Sequence, residues 1–362
     1  MSFYHSILRP ILFRLPAESA HEFALKSLGN RAIRVWLKPP ERFSFNDLNR
    51  FGLRFPNPVG LAAGFDKEGS AAHLLADLGF GFIEVGTVTN EAQPGNPKPR
   101  LFRLPRDRAL INRLGFNNCG AKELVQNIQR RRPQCVLGVN IGKSRAVPIE
   151  AAIPDYLATF AAVYDVADYV AVNVSSPNTP HLRELQKAAP LRELLNALQA
   201  QNHELAQLRS GPARPLLLKI APDLDENEIE AIIDVAMSTN ISGVIATNTS
   251  VNREGLQTPP DVVKEFGEGG LSGAPLRSRS NQVIAFIHRL TRGKLPIIGV
   301  GGVFTAQDAW EKICAGASLI QLYTGFIYEG PRVAGRINQG LLRILEREGL
   351  RSIDDAVGCD VK

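Results

Sequence analysis

Three polar side chains stand where aliphatic ones would be expected. Asn140, Asn173 and Lys219 each fall inside, or close an end of, an apolar run. A polar group buried without a partner costs about 1–3 kcal/mol, so these groups must meet one another or a ligand. An Asn amide offers one acceptor and two donors in a plane. That suits a ring edge of alternating C=O and N–H groups, as in a flavin or a pyrimidine. Lys219 would put positive charge beside a group that becomes anionic, such as the N1/O2 side of a reduced flavin. Other apolar runs also end in polar or glycine-rich residues: Ala63-Gly64-Phe65-Asp66-Lys67, Thr87, Ser175-Ser176-Pro177-Asn178-Thr179, Thr247-Asn248-Thr249, Gly301-Gly302 and Tyr323-Thr324-Gly325. One such end is ordinary loop solvation. Eight in register call for a shared ligand.

Two glycine clusters, Gly269–Gly273 and Gly299–Gly302, either make plain turns or let backbone N–H groups close on a phosphate. The chain has no HExxH, GxSxG or GxxxxGK[ST] motif, which removes support for zinc hydrolysis, serine hydrolysis and P-loop phosphoryl transfer. The cysteines, Cys119, Cys135, Cys314 and Cys359, form no CxxC pair and have no histidine at ligand spacing. They read as reduced thiols, and no metal site is expected. His21 is a lone helical histidine, by default a capping or core residue.

Eight apolar, β-rich runs could position these groups: Val59–Gly64, Phe82–Val88, Cys135–Gly142, Tyr169–Ser176, Pro215–Pro222, Gly243–Ser250, Pro296–Val303 and Leu319–Phe326. Amphipathic helical stretches lie between them, among them Pro190–Arg209, Glu226–Thr239 and Thr305–Gly316. Near-continuous apolar strands alternating with helices indicate a parallel sheet covered on both faces. Eight units predict a closed (β/α)8 TIM barrel over residues 41–362, whose functional face is at the strand C-termini. An open Rossmann sheet is the other reading. It would carry a glycine-rich turn after its first strand and an acidic residue about 20 positions on, and neither is in place.

Residues 1–40 have a different character and form an N-terminal helical extension. Tyr4, Ile7, Leu8, Ile11, Leu12 and Leu15 repeat at three and four, on one helical face. Pro10 should kink or interrupt that helix. Ser19-Ala-His-Glu22 has capping-box spacing and predicts a second helix from Ser19, with Gly29 as its stop and Pro39-Pro40 as a break. The chain has a net charge of +6, and the first forty residues hold six cations and two anions, a surplus of four. The segment is either a helical pair packed on its own protein or an amphipathic patch on an anionic membrane. No stretch has the roughly 20 apolar residues a span requires, and the segment lacks the uninterrupted apolar core and small-residue cleavage site expected of a signal peptide.

Taken together, the stretches Ser19–Phe23, Gly60–Lys67, Glu84–Thr89, Gly95–Arg103, Ile111–Asn117, Asn173–Thr179, Gly269–Gly273 and Gly299–Gly302 resemble the dihydroorotate dehydrogenases, specifically the quinone-dependent class. The resemblance runs nearly the whole length. It implies oxidation of dihydroorotate to orotate in pyrimidine biosynthesis, with hydride passing to one FMN per chain and electrons then to a quinone. It implies that FMN lies against Ala63, Gly64 and Thr87, with Asn140, Asn173, Lys219 and Thr247 around its rings. Gly273, Gly302, Tyr323 and Thr324 would hold its phosphate end. Substrate would meet Lys67, the loop Asn112-Arg113-Leu114-Gly115-Phe116, and Asn173, Asn178, Asn248 and Thr249. Ser176 would be the catalytic base, with Thr179 and a water as proton relay and Phe116 excluding solvent.

Related soluble classes carry Cys at the base position. Ser176 and the amphipathic extension occur together here, which favours the membrane reading of residues 1–40. The resemblance makes those helices the mouth of a quinone tunnel, with His21, Arg103 and Tyr323 along it. It implies a peripheral protein on the cytoplasmic face of a bacterial cell membrane, with no nucleic acid as partner. An FMN barrel that reduces tRNA uridine is the alternative enzyme; it would spread cations around the barrel mouth and use Cys as its acid. A membrane scaffold with an inactive barrel is the non-enzymatic alternative, and it leaves Lys67, Ser176 and Lys219 unexplained.

Overall fold

The computed structural model describes residues 3–37, 43, 45 and 48–361. The expected break at Pro39-Pro40, the charge of Lys38 and the boundary at residue 40 lie outside the described residues, and the Arg34 side chain is likewise not described.

Among the described residues thirteen strands are formed: β1 (Leu48–Arg50), β2 (Leu53–Phe55), β3 (Val59–Leu61), β4 (Phe82–Val88), β5 (Leu101–Leu104), β6 (Ala109–Asn112), β7 (Val136–Ile141), β8 (Tyr169–Asn173), β9 (Leu216–Ile220), β10 (Gly243–Ala246), β11 (Gly270–Gly273), β12 (Ile297–Val300) and β13 (Leu319–Leu322). Eight close into a parallel barrel in the order β3, β4, β7, β8, β9, β10, β12, β13, with β13 returning to β3. These are the eight predicted runs, which excludes the open Rossmann sheet. Most strands stop short of the apolar run: Val59–Gly64 pairs only to Leu61, and the remaining residues turn across the barrel mouth.

Strand side chains alternate between two environments because the pleat has a period of two. On β9, Leu216, Leu218 and Ile220 join the large outer cluster against the helices, while Leu217 packs inside the barrel. Tyr169 and Ala171 face inward on β8, with Val170 and Val172 outward. Lys219 and Asn173 continue these inward rows, and they sit opposite each other in the β8–β9 register. The barrel is therefore aliphatic and aromatic at its N-terminal end and polar at its C-terminal end.

The β1–β2 hairpin was not anticipated from the sequence. Its Leu48 and Phe55 belong to the barrel-interior cluster, and so close the N-terminal end. A second unanticipated sheet, the antiparallel β5–β6–β11, pairs Asn112 with Gly270 and lends both Asn112 and Gly273 to the barrel mouth.

The N-terminal helices depart from expectation in two places. A π-helical turn, Tyr4–Leu8, leads into the α-helix Arg9–Arg14, with the Arg9 N–H reaching back five residues to the Tyr4 carbonyl. Pro10 falls in the first turn of that α-helix, where its missing N–H is tolerated, next to the point where the π-helical turn gives way to the α-helix. The next helix is Ala17–Leu28, capped at its start by Pro16 with no side-chain cap. The Ser19–Glu22 box does not form, because Ser19 is already inside the helix; Gly29 ends it as expected. The apolar stripe divides: Tyr4, Leu8 and Leu12 face a cavity against the barrel, and Ile7, Ile11 and Leu15 are exposed. Among the described residues no helix is long and apolar enough to cross a membrane.

Gly138 of β7 lets the Tyr169 ring fill the barrel: a Cβ there would stand 2.1 Å from the Tyr169 ring carbon. Gly138→Ala should lower unfolding stability by about 1–3 kcal/mol, as overpacking does. Gly211→Ala, whose Cβ would meet the Arg209 carbonyl oxygen at an ordinary 3.8 Å, should stay within about 0.5 kcal/mol. Urea unfolding midpoints measure both.

Candidate active site

At the strand C-termini a cavity collects residues from all parts of the barrel mouth. Its lining includes Ala63, Gly64, Lys67, Thr87, Asn173, Ser176, Asn178, Lys219, Thr247, Asn248 and Thr249. Asn112, Leu114, Gly115 and Phe116 enter from the loop after β6, and Gly273, Gly302, Tyr323 and Thr324 from the β11–β13 side.

Two expected residues do not line it. Asn140 is fully buried one layer below: its amide oxygen accepts from Thr87 Oγ1 (2.5 Å) and Asn173 Nδ2 (3.2 Å), and its Nδ2 donates to Glu84 (2.8 Å). Arg113 points away, donating to the Pro99 carbonyl and lying over the Phe102 ring.

The desolvation argument thus finds its partners in the protein as well as at the cavity. Glu84, on β4, is fully buried at the centre of a network. Its Oε1 faces Lys219 Nζ at 3.6 Å. Its Oε2 accepts from the Tyr169 hydroxyl (3.0 Å) and Gln321 Nε2 (2.8 Å). Glu84 and Gln321 were not singled out in the sequence, although a glutamate within Phe82–Val88 carries the same signal that marked Lys219. Above this layer the amides orient one another: Asn248 Nδ2 donates to Ser175 Oγ (2.9 Å) and Asn178 Nδ2 to Asn112 Oδ1 (3.0 Å). Ser176 Oγ, nearly buried, accepts from the Asn178 N–H at 3.2 Å.

Lys67 hydrogen-bonds Asn117. Burial, with Arg100 adding to it, pushes its amine down to about 7. Arg100 ties the surroundings together: it donates to the carbonyls of Pro94 (2.6 Å) and Asn96 (2.8 Å) and to Glu18 on the helix Ala17–Leu28 (3.0 Å). Asn96 and Gln93 in turn hold the backbone of the Arg113–Gly115 loop.

A second cavity lies between the N-terminal helices and the barrel. It is lined chiefly by apolar side chains from Tyr4 to Leu37, with Phe65, Leu110 and Phe326, and it contains His21 and Arg103. Burial lowers the His21 pKa, favouring the neutral ring. Arg103 is fixed by the Leu15 carbonyl (2.8 Å) and lies over the Phe13 ring. Tyr323 belongs to the first cavity; its ring meets Phe65 at 5.8 Å, and Phe65 meets His21 at 4.7 Å. Phe65 and Tyr323 are thus the wall between the two cavities.

The chain has relatives among known proteins. The family model described as dihydroorotate dehydrogenase matches residues 47–345. The chain belongs to the dihydroorotate dehydrogenase family. Among its relatives, a protein of Nostoc punctiforme named dihydroorotate dehydrogenase (quinone) is 54% identical over 86% of this chain and 83% of its own. One of Gloeobacter violaceus with the same name is 50% identical over 98% of both chains. Among solved structures, the dihydroorotate dehydrogenase of Eimeria tenella in complex with ferulenol has a TM-score of 0.86 at 39% identity, covering 95% of each chain. Family membership displaces the tRNA-reductase alternative.

Proposed function

We propose that the protein oxidises (S)-dihydroorotate to orotate in pyrimidine biosynthesis, using FMN and a membrane quinone. The observation that carries this reading is the pair of cavities, one polar and one apolar, separated by Phe65 and Tyr323.

The lining fits FMN. Gln321 Oε1 is buried and has no protein donor among the described residues, although Gln321 lines the cavity. It is an acceptor awaiting a ligand. Lys219 supplies a cation at the floor. Gly273 and Gly302 have φ of +105° and +72°, and a Cβ on either would strike backbone of Arg108 or Arg277, so bare peptide faces the phosphate end. Bound FMN, one per chain, would supply the hydride acceptor. Thr87, Asn173, Lys219 and Thr247 would surround its rings, with Asn140 orienting Thr87 and Asn173 from below.

Lys67 would hold the substrate carboxylate. Asn112, Asn173, Asn178 and Asn248 would pair with the amide edges of the ring, and Thr249 would close that side. Arg113 would act only by fixing the loop from outside. Ser176 would take the C5 proton, which is acidic because C5 lies beside a carbonyl. No hydrogen bond joins Ser176 to Thr179 in the structure, so the relay requires the water. Phe116 would keep bulk solvent out.

The quinone would enter the apolar cavity through residues 1–40, with His21 and Arg103 in its lining. Phe3, Ile7, Ile11, Leu15, Phe23, Ile33 and Val35 are exposed there, beside Arg14, Lys26 and Arg31. An apolar patch flanked by cations suits peripheral attachment to an anionic membrane, on the cytoplasmic face of a bacterial cell membrane in this reading. The barrel, residues 41–362, would be the catalytic unit.

Anaerobic dihydroorotate should bleach the flavin of the purified protein, and Ser176→Ala should slow bleaching by about 10²–10⁴-fold, the range of general-base catalysis. A parent protein that does not bleach contradicts the function; a Ser176→Ala protein that bleaches normally contradicts the base. Orotate binding tests Lys67. Only the protonated amine attracts the carboxylate, and the free amine sits at about 7. Because the carboxylate raises the amine's pKa in the complex, the dissociation constant should rise as pH increases above 7, up to about tenfold per unit. Lys67→Met should bind weakly without that rise, as read by flavin absorbance.

A further inference from the structure

Glu84 does not touch the polar cavity, yet four strands converge on it. Asn140 from β7, Tyr169 from β8 and Gln321 from β13 donate to its carboxylate at 2.8–3.0 Å, and Lys219 from β9 stands at 3.6 Å. Only two of these partners, Lys219 and Gln321, reach the cavity surface. Building on the flavin reading above, we propose that Glu84 is a positioning residue that sets the reduction potential of the bound flavin by compensating the charge of Lys219.

The geometry separates this role from simple packing. Three neutral donors point at the two carboxylate oxygens, and the ammonium faces one of them from the cavity side. The ammonium sits beyond ordinary hydrogen-bond length, held by charge and left with N–H groups to offer the cavity. The pair therefore presents its positive end to the ligand, while the negative end lies one layer behind. A flavin that gains negative charge on reduction meets a cation partly cancelled by the anion beneath it. In this low-dielectric interior such a charge acts over several ångströms with little screening. Lys219 alone would favour the reduced flavin more strongly and hold back the electrons that the quinone must receive. Glu84 moderates that preference.

Glu84→Gln removes the charge and nearly preserves the shape. Gln321 can accommodate the change by turning its amide, since its Oε1 has no donor now and could accept from the new side chain. The experiment is equilibration of the purified flavoprotein with a reference dye, which reads the midpoint potential independently of turnover. Glu84→Gln should favour the reduced flavin at least tenfold over the parent, an upward shift of about 30 mV for a two-electron couple. Glu84→Asp, which keeps the charge, should stay within threefold. Sulfite addition to the oxidised flavin, favoured by positive charge near N1, should tighten in Glu84→Gln by a similar factor.

If Glu84→Gln gives no flavin-bearing protein, the comparison moves to a background without the cation. There, Lys219→Met with Glu84→Gln should be at least tenfold easier to reduce than Lys219→Met alone, measured at pH 8. Potentials that do not separate in whichever comparison is made overturn the proposal. A parent protein that carries no flavin defeats the functional reading instead, so the two failures are distinguishable.

Discussion

An ammonium and a carboxylate 3.6 Å apart inside the barrel set the terms for everything above them. Charges removed from water are tolerated only when paired and hydrogen-bonded. Lys219 and Glu84 thus draw Asn140, Tyr169 and Gln321 into one layer, and that layer fixes the amides above it. Thr87 and Asn173 are oriented by Asn140, and Asn248 by Asn173 and Ser175. The cavity is shaped by a chain of polar contacts that starts at the ion pair and ends at the loops of the barrel mouth. The aliphatic lower barrel and the β1–β2 hairpin supply the rigid floor on which it rests.

Much of this was legible because a strand's period of two makes an inward polar residue conspicuous. Lys219 stood out among leucines, and the eight runs became the eight barrel strands. What escaped depends on contacts distant in sequence. Asn140 was correctly marked as needing a partner, but its spacing does not show whether it faces a ligand or the layer beneath. Arg113 lies in a loop whose neighbours line the cavity, while a carbonyl and an aromatic ring hold its side chain on the other side. The β5–β6–β11 sheet joins segments about 160 residues apart, which no local pattern reveals. The Ser19 capping box failed because Pro16 started the helix earlier.

The N-terminal helices are bound to the barrel by specific polar contacts and by apolar ones, Phe13 against Tyr328 and Leu28 and Leu37 within the main core. The Tyr4 hydroxyl donates to the Ile327 carbonyl, Arg103 to the carbonyls of Phe13 and Leu15, and Arg100 to Glu18. This arrangement leaves an apolar cavity beneath them and an apolar surface outside. Arg100 also supports the Pro94–Asn96 turn beside the Asn112–Phe116 loop, so one guanidinium joins the helix that lines the apolar cavity to the loop that lines the polar one. The two cavities stay chemically distinct because Phe65 and Tyr323 stand edge-on between them.

That division is the central claim, and one measurement addresses it directly. Ala24 lines only the apolar cavity, so Ala24→Trp would fill it without reaching the polar one. Stopped-flow absorbance would follow flavin bleaching by dihydroorotate and, separately, reoxidation by a short-chain quinone. Bleaching should stay within threefold of the parent while reoxidation slows at least tenfold. Equal slowing of both half-reactions, or an unchanged reoxidation rate, would contradict that division.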